Sequence, residues 1–198
     1  MSKKRVLILS EGFGSGHTAA AHALSAGLRL MSDKVTARVL ELGAFQHPTL
    51  APWVFTAYRK TISSQPKLYS VLYRKKQQKE LGRMTKLALH RLFYARTASI
   101  IQQLKPALIV ATHPFPTLVV SRLKRSGLSI PLCTIITDYD VHAAWVDPAV
   151  DKYLVSTPEM SQKLITLGVR PSNIQVTGIP VHPKFWVTHD KEEVRRQF

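Results

Sequence analysis

Six short runs of Val, Ile and Leu, separated by stretches of helical periodicity, constrain this chain more than any other feature. They fall at residues 5–9, 35–40, 107–111, 132–136, 153–155 and 174–176. Each has strand length and is rich in Val, Ile and Leu, which suits parallel strands covered on both faces. Helical patterns occupy residues 18–31, 83–104, 117–126 and 158–167. Alternation of this kind predicts a Rossmann-like, doubly wound α/β fold with a mostly parallel sheet. Prolines at 106, 114, 116, 131, 158, 171, 180 and 183 mark element boundaries, where a missing N–H does little harm. A chain of 198 residues suffices for one well-buried domain.

The rhythm fails between residues 43 and 104, where helical segments follow one another with no convincing strand, so this interval reads as an inserted helical region. Residues 1–187 then form one domain. Residues 188–198 start a linker or helix, with Asp190 as an N-cap and Glu193 three positions later. The pattern breaks off after about two turns, as expected of a boundary inside a longer protein.

The 28 Lys and Arg against 12 Asp and Glu give a net charge of +16, which calls for an anionic partner. The charge concentrates in the insertion, where Arg59, Lys60, Lys67, Arg74, Lys75, Lys76, Lys79, Arg83, Lys86, Arg91 and Arg96 meet a single acid, Glu80. Trp53, Tyr58, Tyr69 and Tyr73 are interleaved with them. Aromatics at a lipid interface and basic residues over anionic head groups, each worth about 1 kcal/mol, would make a peripheral membrane surface. A nucleic-acid groove uses the same ingredients, and charge alone does not separate the two. No run approaches the roughly 20 apolar residues that span a bilayer, and the apolar start is too short for a signal peptide. Cys133 is the only cysteine and lies in an apolar run, so no intramolecular disulfide forms and a reducing compartment is expected.

The chemistry gathers where strands end. Gly12-Phe-Gly14-Ser15-Gly16-His17 follows the first strand and opens a helix, so ligand phosphate or sugar can approach backbone N–H groups there. It lacks the Gly-Lys-Ser/Thr of a P-loop and the glycine spacing of a dinucleotide fingerprint. His17 is either a solvent-facing histidine or a general base in the crevice at the strands' C-terminal ends. Thr137-Asp138-Tyr139 follows the fourth strand, with His142 and Trp145 beyond it. Asp138 reads as a turn cap or as an assistant to a base. His113-Pro114 and Thr177-Gly-Ile-Pro180 end two further strands at the same edge. Eight histidines raise the question of a metal, but no ligand spacing is diagnostic and none is expected. No Gly-x-Ser-x-Gly elbow is present, which sets hydrolases aside.

In order along the chain, Val6-Leu-Ile-Leu-Ser-Glu-Gly-Phe-Gly-Ser-Gly-His17, the strand ending at His113-Pro114, Ile136-Thr-Asp-Tyr139, His142 with Trp145-Val, Val150-Asp-Lys-Tyr153 and Val176-Thr-Gly-Ile-Pro-Val181 resemble one family. It is the monogalactosyldiacylglycerol synthase and processive diacylglycerol glucosyltransferase family, whose fold is the two-domain GT-B type. The resemblance implies an N-terminal, acceptor-binding half of an enzyme that moves a hexose from a UDP-sugar to diacylglycerol with inversion. It implies His17 as the base with Asp138 as second choice, and Gly12, Gly14, Ser15 and Gly16 near the donor phosphate. It also implies an acceptor cleft of His113, Pro114, Tyr139, His142 and Trp145. Membrane contact would come from Trp53, Tyr58, Arg59, Lys60, Tyr69, Tyr73, Arg74, Lys75 and Lys76. No cofactor is implied, since the UDP-sugar is a substrate held mainly by a C-terminal partner domain. The implied partners are anionic lipid and diacylglycerol rather than nucleic acid, on the cytoplasmic face of the cell membrane.

Overall fold

The computed structural model of the chain describes residues 3–12, 15–49, 51–53, 56, 96–186 and 191–196. Its first strand, β1 (Lys4–Ser10), shows why an unbroken apolar run makes a central parallel strand: every residue from Val6 to Ser10 is buried. Alternate side chains enter different cores. Val6 and Ile8 pack with Ala21 of α1 (Ser15–Met31) and with Ala37 of β2 (Val35–Glu41). Leu7 and Leu9 meet the opposite face, with Ile100 and Ile101 of α3 (Thr97–Leu104) and Val119 and Val120 of α4 (Pro114–Arg125). A short helix α2 (Leu42–Gln46) follows β2 directly. The remaining strands are β3 (Leu108–Ala111), β4 (Leu132–Ile135), β5 (Lys152–Val155) and β6 (Ile174–Val176), with α5 (Pro158–Thr166) between the last two and α6 (Lys191–Arg196) after them.

All six strands pair in parallel in the order β2-β1-β3-β4-β5-β6. The chain leaves β1 for β2 on one side and then crosses to β3 on the other. That reversal opens a crevice beyond the C-terminal ends of β1 and β3, the place where ligands bind in open α/β sheets. Each strand lies where its apolar run predicts it. Two helices start earlier than their patterns suggest. The helix expected from residue 18 begins at Ser15, which puts His17 in its first turn. The helix expected from residue 117 begins at Pro114, because proline fits the first helical position and His113 caps it. Of the expected insertion only its edges, including α2 and α3, lie within the described residues.

Ile8 is fully buried at the centre of the sheet. Ile8→Val removes one methylene there and is expected to lower stability by about 1 kcal/mol, shifting the thermal midpoint by roughly 2–4 °C. Thermal unfolding followed by circular dichroism measures this.

Candidate active site

Three strand ends deliver the polar groups of the crevice. From the first turn of α1, His17 projects across the β1–β3 gap, and its Nδ1 lies 3.0 Å from the Thr112 carbonyl oxygen just after β3. The same nitrogen is 2.5 Å from Thr137 Oγ1, beyond β4, and the Thr137 hydroxyl donates to that carbonyl at 3.3 Å. A carbonyl only accepts, so Nδ1 carries the proton and the neutral ring keeps its lone pair on Nε2. That lone pair is turned toward Asp138, whose Oδ1 is 3.8 Å away. The separation is too long for a direct hydrogen bond and short enough for strong attraction once the ring is charged.

Asp138 is itself held from below. Trp145 is wholly buried, and its indole Nε1–H donates to Asp138 Oδ2 at 2.9 Å. His142 Nε2 lies 3.8 Å from the same oxygen. His113 presents its ring edge-on to His17, with centroids 4.6 Å apart. Its Nδ1 accepts the Phe115 backbone N–H at 3.1 Å, capping α4, so its own proton sits on Nε2. The two neighbouring imidazoles therefore carry their protons on different nitrogens.

Burial holds the His17 pKa below its ordinary value of 6.5, opposed by the Asp138 charge and by the bond to the Thr112 carbonyl. The ring is consequently neutral near pH 7, with an open acceptor lone pair. Such an imidazole can take a proton from a bound hydroxyl, and Asp138 then favours the cation that results.

His17, His113, Asp138, His142 and Trp145 thus come together. Pro114 occupies the first turn of α4 at the crevice rim. Tyr139 follows Asp138 but is 91% exposed. Gly12 forms a turn after β1, and Ser15 and Gly16 open α1; the space where a Gly16 side chain would stand is empty to 4 Å. Gly14 lies outside the described residues. Of the expected membrane-binding set, Trp53 is 78% exposed, while Tyr58, Arg59, Lys60, Tyr69, Tyr73, Arg74, Lys75 and Lys76 lie outside the described residues. Among the described residues no group of three or more His, Cys, Asp and Glu side chains could hold a metal ion.

Sequence reasoning missed the anchors Thr112 and Thr137, whose signal is that each ends an apolar run entering the crevice. It also missed what Glu11 does. This residue is 1% exposed, and its carboxylate accepts the Gly43 N–H at 3.0 Å, tying the turn after β1 to the start of α2. Cys133 packs against the sheet core as expected, and burial pushes its thiol pKa up to about 11.

A family model described as monogalactosyldiacylglycerol (MGDG) synthase matches residues 17–181. The chain is 32% identical over 186 residues to a processive diacylglycerol beta-glucosyltransferase of Bacillus subtilis (strain 168), covering 93% of this chain and 47% of that one. It is 29% identical over 188 residues to the Staphylococcus aureus (strain MRSA252) protein of the same name, covering 92% of this chain and 46% of the other. The chain therefore spans about half the length of these relatives. Among solved structures, an S. aureus MnaA–UDP co-structure aligns with a TM-score of 0.50 at 14% identity, over 98% of this chain and 51% of that one. A UDP-GlcNAc 2-epimerase from Neisseria meningitidis, bound to UDP-GlcNAc, aligns at 0.51 and 13% identity, over 88% and 46%. The parallel, doubly wound sheet is one Rossmann-like half of a GT-B fold.

Proposed function

Since the chain belongs to the monogalactosyldiacylglycerol synthase family, we propose that it is the acceptor-binding, N-terminal half of an inverting glycosyltransferase. The enzyme moves a hexose from a UDP-sugar to diacylglycerol at a membrane surface. The observation that carries this reading is the polarised His17: Nδ1–H fixed by the Thr112 carbonyl, Nε2 free to accept, and Asp138 3.8 Å beyond it.

In this mechanism the diacylglycerol hydroxyl enters the crevice and gives its proton to His17 Nε2. Its oxygen forms the new bond to the anomeric carbon as the bond to UDP breaks on the opposite face. Asp138 and the Thr112 carbonyl stabilise the imidazolium, and Trp145 keeps Asp138 in place. Gly12, Ser15 and Gly16 border the α1 N-terminus, where backbone N–H groups suit the departing phosphate, and the clear space above Gly16 supports such an approach; Gly14 joins them by its place in the sequence. His113, Pro114, Tyr139 and His142 line the acceptor side. A second α/β domain supplies most UDP-sugar contacts, and residues 1–187 make up the acceptor-binding domain.

Association with the membrane is peripheral, on its cytoplasmic face, through the basic insertion. No helix among the described residues is long and apolar enough to cross a bilayer, and the exposure of Trp53 supports an interfacial role. The decisive test supplies the protein carrying both halves with labelled UDP-glucose or UDP-galactose and diacylglycerol vesicles. A β-linked glycolipid is the expected product; an α-linked one would remove inversion, and no lipid product would remove the acceptor assignment.

The pH dependence follows from the same geometry. Only neutral His17 accepts a proton, so kcat/KM should rise with pH along an acid limb whose midpoint lies below 6.5, given the lowered pKa. Asp138→Asn removes an anion that favours protonation, so the limb should move to still lower pH while the plateau falls. A limb that moves upward, or stays fixed, would separate Asp138 from His17.

A further inference from the structure

A second polar recess lies on the other side of α1, away from the crevice. Along the helix, His22, Ser25, Ala26 and Arg29 recur at i, i+3, i+4 and i+7, which makes them one continuous stripe on its flank. The small Ser25 and Ala26 lie between the larger His22 and Arg29, so the stripe is low in the middle. Arg38 of the edge strand β2 and His182, in the segment after β6, complete a recess of about 400 Å³.

This recess is assembled from three separate segments rather than being a loose fold of one loop. Arg29 Nη2 donates to the Ala37 carbonyl at 3.2 Å, which links helix to strand. The segment after β6 is pinned to α1 where Trp186 lies over Gly27; a Cβ there would stand 3.5 Å from the indole. His182 is fixed in turn, its Nδ1 accepting the Lys184 N–H at 3.2 Å. No acidic side chain is among the described residues lining the recess, and neither Arg29 nor Arg38 has a carboxylate within 4.0 Å among them. Cations on the opposite face of the sheet do find carboxylates: Lys124 pairs with Asp151, Arg125 with Asp147 and Lys163 with Asp140.

The geometry points to a phosphate-binding site at this recess, distinct from the crevice and independent of any role for His17. Two guanidinium groups with planar donor forks suit the oxygens of a phosphate monoester, with the Ser25 hydroxyl and the imidazoles as further donors. Inorganic or soluble phosphate and a phospholipid head group offer the same chemistry, and the experiment distinguishes them.

Calorimetric titration of inorganic phosphate into the chain at low ionic strength is expected to show binding that Arg29→Gln/Arg38→Gln weakens at least about tenfold, through loss of both charge-assisted contacts. The charge-matched control Lys105→Gln/Arg170→Gln, exposed cations elsewhere, should bind phosphate as the parent does. Co-sedimentation with vesicles of equal parts phosphatidic acid and phosphatidylcholine, in phosphate-free buffer, forms the second arm. A drop for Arg29→Gln/Arg38→Gln beyond that of the control identifies a lipid head group; equal sedimentation with weakened phosphate binding identifies a soluble phosphate. Arg38→Gln alone leaves the Arg29–Ala37 link intact, so it serves if the double variant fails to fold, with an expected loss of at least about threefold. Undetectable phosphate binding by the parent chain, or equal affinity in parent and variants, overturns the site.

Discussion

His17→Ala, made in the protein carrying both halves, is expected to lower turnover by about 10²-fold or more, the usual contribution of a general base. Vesicle and diacylglycerol binding should persist, because the ring contributes one polar wall of the crevice and no part of either hydrophobic core. His17→Gln sharpens the test, since it retains a hydrogen-bonding side chain but has no titratable nitrogen; it should fall nearly as far as alanine and lose the acid limb. Turnover within a few-fold of the parent in both variants would leave the Thr112–His17–Asp138 arrangement a structural link only.

The second large effect lies beneath the site. Trp145 is among the largest fully buried side chains of the protein and belongs to the core cluster that includes Val141, Val150 and Tyr153. Trp145→Ala is expected to cost about 3–5 kcal/mol through the cavity it leaves, lowering the thermal midpoint by roughly 10 °C. It also strips Asp138 of its indole donor, so activity should fall even at temperatures where the variant stays folded. Trp145→Phe separates these effects: most of the packing remains, but the N–H···Oδ2 bond does not. A phenylalanine variant with near-parental stability and reduced kcat/KM would mark Trp145 as a positioning residue for Asp138. Equal losses of stability and activity in both variants would reduce it to core.

The sheet was legible because parallel strands declare themselves. Both faces are covered, so residues such as Val6 to Leu9 and Ile109 to Ala111 are apolar in succession, and the short length of each run between turn residues marks it as a strand. Strand ends were less clear, since Lys4, Ser10 and Glu41 extend β1 and β2 on backbone pairing that side-chain polarity does not reveal. Helix starts were misplaced for a related reason: Ser15-Gly16 and Pro114 look like turn residues, yet each suits the first turn of a helix. Within the crevice, histidines and the aspartate were visible as unusual residues at strand ends. The groups that orient them were not, because one is a backbone carbonyl at Thr112 and the other a threonine hydroxyl at Thr137, and neither has a sequence spacing that signals its partner. The recess between α1 and β2 was missed because His22 to Arg29 reads along the chain as an ordinary exposed helix flank; only the edge strand and the segment after β6 enclose it.

The opposed protonation of His17 and His113 limits what the crevice can store. The nitrogen through which His113 would gain a proton is already accepting the Phe115 N–H at the start of α4, and a second imidazolium 4.6 Å from the first would add repulsion to the loss of that cap. A proton added to His113 would therefore cost α4 its cap. Under the proposed mechanism, the proton that His17 takes from one acceptor hydroxyl must return to solvent before the next can react, and the lowered pKa of the ring favours that return near pH 7.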